Sequence, residues 1–279
     1  MRERAIGVFD SGLGGLAVVR EIMREMPEED IFYFADFKNL PYGPRPLKQV
    51  EEFAHRIVDF LIANGVKAVL IACNTASVAI AASVRQKEWK VPVIGMLEPA
   101  VEATLKSGNF RKIGIIGTIG TIKSGEYIKA FERLSPSVEV VGHACPDLLR
   151  LAEQGEIMDR RRIQLLAKEC INPLEREGID ALVLGCTDFT CIVEELRAVI
   201  APQIILIDPA REIAKTADKV LRENGWRRSG EGHINFFASG EGPRRTKDFA
   251  KRVFGIQIEN ITIVDCITYI GSSRGYRTS

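Results

Sequence analysis

Two kinds of apolar pattern alternate along this chain. Short unbroken runs, such as AIGVF (5–9), DIFYFAD (30–36) and KAVLIA (67–72), read as strands. Between them apolar residues recur every three or four positions, as in GGLAVVREIMREM (14–26) and PLKQVEEFAHRIVDFLIANG (46–65). In the latter, Val50, Phe53, Ala54, Ile57, Val58 and Leu61 share one helix face, and Gly65 is placed to end it. Such alternation predicts a parallel sheet with helices on both faces. The strands are apolar at successive positions rather than at every second one, which fits burial on both sides.

The pattern then restarts. IGVFDSGLGG (6–15) is echoed by IGIIGTIGTI (113–122), and KAVLIACNTAS (67–77) by DALVLGCTDFT (180–190), in the same order and at nearly the same offset. Two ordered echoes predict two α/β units of one kind, related by duplication. The expected fold class is α/β, with two pseudo-symmetric, doubly wound parallel-sheet domains. The first would span 1–98 and be completed by 211–270, through INFFASG and NITIVD. The second would span 99–210, with QIILID (203–208) as a further strand, and 271–279 would form a loose polar tail.

Composition narrows the classes of function. With 38 basic and 37 acidic side chains the net charge is +1, which gives no electrostatic case for nucleic acid or an anionic membrane. No run reaches the ~18 apolar residues of a membrane span, and the start lacks the apolar core of a signal peptide. A cytoplasmic protein with reduced thiols is expected. Six cysteines without a C-x-x-C pair, and three histidines, argue against a zinc site.

In open parallel sheets, ligands collect at the carboxyl ends of the strands. Asp10-Ser11-Gly12, Cys73-Asn74-Thr75, Gly117-Thr118 and Cys186-Thr187-Asp188 all fall at such ends. Two similar units facing each other would set Cys73 and Cys186 on opposite walls of one cleft. Free cysteines are often simply buried, but these two stand directly before hydrogen-bonding side chains. GLGGLA (12–17) also fits the dinucleotide fingerprint, with Asp36 near the place of a ribose-binding acid. Against that reading, the Asp10 carboxylate would repel a pyrophosphate. The PYG loop (41–43) offers backbone amides and a Tyr42 ring that could close over a small substrate. His55 is expected to be solvated, and His143 and Cys145 to be structural.

Two facing thiols suit inversion of a carbon that bears a hydrogen. One thiolate removes the proton and the opposite thiol delivers another. A free thiol titrates at about 8.5, so the site must stabilise a thiolate or supply a base. The carbanion's carboxylate needs donors, and Ser11, Thr75, Thr118, Thr187 and backbone amides can provide them.

At these residues the chain resembles a known family. DSGLGG, LPYG, ACNTAS and LGCT, in this order, are similar to the glutamate racemases of the aspartate/glutamate racemase superfamily, and the likeness runs through IGIIGTIGTIKSGEY and FFASGE. The resemblance implies an active site between two pseudo-symmetric domains, no cofactor or metal, D-glutamate supply for peptidoglycan, and a homodimer. By position it implies catalytic thiols at Cys73 and Cys186, with Asp10 and Glu153 assisting. Substrate contacts would come from Ser11, Tyr42, Gly43, Asn74, Thr75 and Thr187, with Thr118 and Thr121 nearby.

One departure is chemical. Where the family has histidine after Cys-Thr, this chain has Asp188, and Thr190 replaces a proline. A carboxylate disfavours a neighbouring thiolate. Cys186 is therefore expected to be held as the neutral acid, unless Asp188 acts as its base and mirrors Asp10. The substitution keeps two alternatives open, an aspartate racemase or related isomerase, and an inactive paralogue that binds an amino acid or a protein.

Overall fold

The computed structural model describes residues 1–264 except 88, 154–158 and 243–245, so the expected tail at 271–279 lies outside the described residues. The first half of the chain runs β1 (Ile6–Asp10), α1 (Leu16–Glu25), β2 (Ile31–Ala35), α2 (Leu47–Ala63), β3 (Ala68–Ile71), α3 (Asn74–Ala79), α4 (Ala81–Gln86), β4 (Val93–Gly95) and α5 (Leu97–Ser107). It continues through β5 (Lys112–Gly117), α6 (Ile119–Ser124), α7 (Glu126–Leu134), β6 (Glu139–Ala144), α8 (Pro146–Glu153), α9 (Arg160–Arg176), β7 (Ala181–Gly185), α10 (Val193–Val199) and β8 (Ile205–Ile207). The last elements are α11 (Ala210–Glu223), β9 (Ile234–Ala238), α12 (Thr246–Phe249) and β10 (Ile261–Ile263).

The strands form two sheets, ordered β10-β9-β2-β1-β3-β4 and β6-β5-β7-β8. Every pairing is parallel. In the first sheet β1 lies between β2 and β3, so the connections leave it in opposite directions at the β1/β3 junction. The β5/β7 junction of the second sheet is its counterpart. Crevices open at such switch points. Asp10 and Gly117 end β1 and β5, and Cys73 and Cys186 lie one or two residues beyond the ends of β3 and β7.

Each sheet is covered on both faces, which explains the unbroken apolar runs. Ile6 and Val8 of β1 pack with Leu16, Val19 and Ile22 of α1 and with Ile213 and Leu221 of α11. Phe9 and Phe34 face the other way, onto Val58 and Leu61 of α2. The second sheet repeats the arrangement, with α8 and α9 on one face and α5 and α7 on the other. Gly65 ends α2 with a φ of 80°, a left-handed backbone that glycine adopts without steric cost. No helix among the described residues is long and apolar enough to cross a membrane.

Three expectations change here. His55 is not simply solvated, because its Nε2 lies 3.2 Å from Ser83 Oγ and its ring packs 5.2 Å from that of Trp89. The expectation of reduced thiols fails at Cys145 and Cys170, which form a disulfide, while Cys73, Cys186 and Cys191 are free among the described residues. The end of β6 and helix α9 bring their Cα atoms to 5.6 Å, within bridging reach. Strand β6 itself is an addition; it is a half-exposed edge strand and lacks the continuous apolar run of the others.

Opposite the carboxyl ends, Lys67 and Glu29 form a fully buried ion pair before β3 and β2. The Lys67 ammonium also donates to the carbonyls of Arg2 and Trp226, each at 3.0 Å, so its three donors are used. Glu29 in turn accepts the Arg228 amide at 3.0 Å. Removing one partner of such a pair strands the other charge. Glu29→Gln is expected to lower the unfolding free energy by about 3 kcal/mol in urea titrations. A loss below about 1 kcal/mol would show that the pair does not hold this end of the sheet.

Candidate active site

The loop after β1 is built around its own carboxylate. Asp10 is buried, and its Oδ2 accepts the Gly12 and Gly15 amides at 3.1 and 3.2 Å. These are the amides a dinucleotide pyrophosphate would need, so the fingerprint is filled from within and the cofactor reading falls. Tyr33, fully buried in β2, donates its hydroxyl to the Gly12 carbonyl at 2.8 Å and fixes the same loop.

Gly14 explains the glycine run instead. A Cβ there would lie 2.6 Å from Asp188 Oδ1 and 2.8 Å from Thr187 Oγ1. The missing side chain lets the turn after β7 come directly against the turn after β1. On the other side of the cleft Gly43 is equally confined, since a Cβ would lie 2.9 Å from Thr118 Cβ. Its carbonyl accepts the Gly120 amide at 3.0 Å.

Cys73 precedes α3 as its cap. Its Sγ accepts the Ala76 amide at 3.5 Å, and the thiol reaches Ser11 Oγ at 3.9 Å. Burial first, and then the charge of Asp10, push this thiol far above its usual range; the Ala76 amide and Ser11 oppose the shift. Cys186 opens a 3₁₀ turn over Thr187–Ile192, and its thiol donates to Asp188 Oδ2 at 3.5 Å. Burial and then Asp188 push Cys186 well up. Asp188 is itself raised well above a normal carboxyl, by desolvation and then by Asp10 and Glu153. Asp10 is raised by burial against the pull of its backbone donors. The resting site therefore holds neutral thiols among crowded carboxyl groups.

The donors are arranged with equal economy. Asn74 is buried, its Oδ1 accepting the Tyr127 hydroxyl at 2.6 Å while its Nδ2 has no partner among the described residues. A buried amide donor held without an acceptor is costly unless a ligand supplies one. Thr75, Thr118 and Thr121 bond one another across the two units, with hydroxyl oxygens 2.9, 3.0 and 3.2 Å apart. They form a latch between α3 and α6. Tyr42 departs from its expected use, because its ring is buried against Phe53 and its hydroxyl donates to Asp36 at 2.5 Å. Its side chain anchors the loop. Glu153, at the end of α8, shares a cleft of about 230 Å³ with Pro41, Gly43, Thr118 and Leu149.

Tyr33 and Tyr127 were not among the expected site residues. Tyr33 lies in an apolar run and Tyr127 on the apolar face of an amphipathic helix, and sequence alone does not separate a core tyrosine from one whose hydroxyl orients a site.

A sequence profile described as Asp/Glu/hydantoin racemase matches residues 6–217. A glutamate racemase from Corynebacterium diphtheriae is 38% identical over 262 residues, 94% of this chain and 98% of that protein. A glutamate racemase crystal structure from Bacillus anthracis superposes with a TM-score of 0.89 at 35% identity, covering 95% of this chain and 98% of that one. The Francisella tularensis glutamate racemase, crystallised with D-glutamate, gives a TM-score of 0.88 at 31% identity, covering 96% of this chain and 100% of that one.

Glu153 is exposed at the end of α8, and there partial desolvation, then the charge of Asp10, raise its carboxyl from 4.5 to about 7. The folded state then binds more protons than the unfolded one between these values, so Glu153 favours folding at low pH and loses that effect as pH rises through about 7. A carboxyl-¹³C titration is expected to show a midpoint near 7 that Glu153→Gln removes. A midpoint at the ordinary value would contradict this placement.

Proposed function

The chain belongs to the Asp/Glu/hydantoin racemase family, and from that premise we propose that it interconverts L- and D-glutamate, with Cys73 and Cys186 as the two acid–base groups. The reading rests on one observation above the rest: each thiol stands beside a carboxyl group, Cys186 with Asp188 at 3.5 Å and Cys73 against Asp10. Glutamate as the substrate is supported by the relatives' names and by the D-glutamate complex of the Francisella tularensis enzyme.

In the proposed reaction one thiolate takes the Cα proton and breaks the C–H bond. The electron pair is held as a carbanion delocalised into the carboxylate, and the opposite thiol forms the new C–H bond from the other face. The first sulfur ends protonated and the second as thiolate, ready for the mirror substrate. Both thiols are neutral at rest, so ionisation must accompany substrate binding. The α-ammonium group is a cation brought among Asp10, Asp188 and Glu153, and it lowers the cost of forming a thiolate there. Asn74 Nδ2 is the donor awaiting a substrate carboxylate.

Asp188 takes the role of base for Cys186, as Asp10 does for Cys73. The product would supply peptidoglycan synthesis, from a homodimeric enzyme; both features come with the family resemblance, and a cytoplasmic placement comes from the absence of a signal-peptide pattern in the sequence.

Chiral chromatography of reactions with L-glutamate, D-glutamate and L-aspartate is expected to show inversion of glutamate. Cys73→Ala or Cys186→Ala should abolish it. Inversion of aspartate alone would replace the substrate, and no inversion of either would favour a binding protein. If Asp188 is the base, L-to-D and D-to-L turnover should have pH limbs within about half a unit of each other, and Asp188→Asn should cost about 100-fold in kcat. Widely separated limbs, or an undiminished Asp188→Asn variant, would instead leave Cys186 as a fixed neutral acid.

A further inference from the structure

Asp36 has no part in the chemistry above, and its ribose-binding use fell with the dinucleotide reading. It is nevertheless buried at 2% exposure just beyond β2, where a carboxylate needs partners. It has them. Asn39 Nδ2 lies 3.1 and 3.0 Å from its two oxygens, and the Tyr42 hydroxyl donates to Oδ2 at 2.5 Å. Its own amide donates to the Asp10 carbonyl at 3.0 Å, which ties the cluster to the loop after β1. We propose that Asp36 is a positioning residue, which through Tyr42 holds the 41–43 loop against the second domain and so sets the width of the substrate cleft.

The chain of contacts is continuous. The Tyr42 ring is fixed by Asp36 at its tip and by Phe53 at its face. Gly43 follows immediately, and its carbonyl accepts the Gly120 amide at the start of α6. Gly43 also abuts Thr118, one corner of the hydroxyl triangle, so there is no slack for the loop to shift alone. The Gly120 amide belongs to the first turn of a helix, where no intrahelical acceptor exists, and Gly43 supplies the missing one. Losing the Asp36–Tyr42 bond would free this loop without removing any group that faces the reacting carbon. Substrate binding should suffer, and the chemical step should not.

The test uses two nearly isosteric variants, Tyr42→Phe and Asp36→Asn, and their combination. Its kinetic arm rests on the racemase reading, while its second arm does not. Each single variant is expected to raise KM about tenfold, with kcat within about threefold of wild type, as loss of one buried hydrogen bond would give. The double variant should match the worse single one, because both act through one contact. Independently, hydrogen exchange of the Gly120 amide, followed by NMR, should quicken about tenfold in both singles. Unchanged Gly120 exchange in both variants would overturn the proposal. So would a fall in kcat at constant KM, or multiplicative effects in the double. If the wild-type chain turns over neither glutamate nor aspartate, the racemase reading fails, and Gly120 exchange alone decides the role of Asp36.

Discussion

Gly14 has no side chain, and the turn that carries Thr187 and Asp188 occupies the space one would fill. This close approach is the constraint on which the site depends. Each parallel sheet opens a crevice at its own switch point, but neither crevice alone presents two thiols. At Gly14 the β1/β3 end of one sheet meets the β5/β7 end of the other, so the turns that follow Asp10 and Cys186 are in direct contact. The hydroxyl triangle of Thr75, Thr118 and Thr121 and the Gly43–Gly120 bond close the same junction from the other side.

The enclosure has an electrostatic consequence. Asp10, Asp188 and two thiols share a small desolvated volume, and burial is the largest cause of the upward shift at each. Ionised groups packed this closely repel one another, so the resting state keeps the protons on both thiols and holds the two carboxyl groups above their usual range. The arrangement favours a ligand that brings its own positive charge next to a carbon acid. An α-amino acid has that form. A histidine at position 188, which the family resemblance would place there, could carry a positive charge beside the second thiol. Aspartate cannot, and here the two halves of the site become more alike.

Much of this was legible in the sequence because the controlling signals are local. Unbroken apolar runs gave the buried parallel strands, and the echo of KAVLIACNTAS in DALVLGCTDFT placed two cysteines at equivalent strand ends. What escaped depends on contacts between distant segments. Nothing around Tyr42 tells whether its ring covers a ligand or is buried against Phe53 with Asp36 at its tip. Tyr127 reads as a core residue until α7 is seen to deliver its hydroxyl to Asn74. Strand β6 was missed because an edge strand can stay polar, and the Cys145–Cys170 bond because nothing local marks which cysteines the fold brings together.

The central claim is that two groups on opposite walls handle the proton, and a single-turnover reaction in deuterated water tests it most directly. Starting from protiated L-glutamate, the two-thiol account predicts D-glutamate carrying deuterium at Cα while the unreacted L-glutamate stays protiated. Product that retains the original hydrogen, or deuterium entering the L-glutamate pool as fast as inversion occurs, would mean that one group serves both faces and would contradict the account.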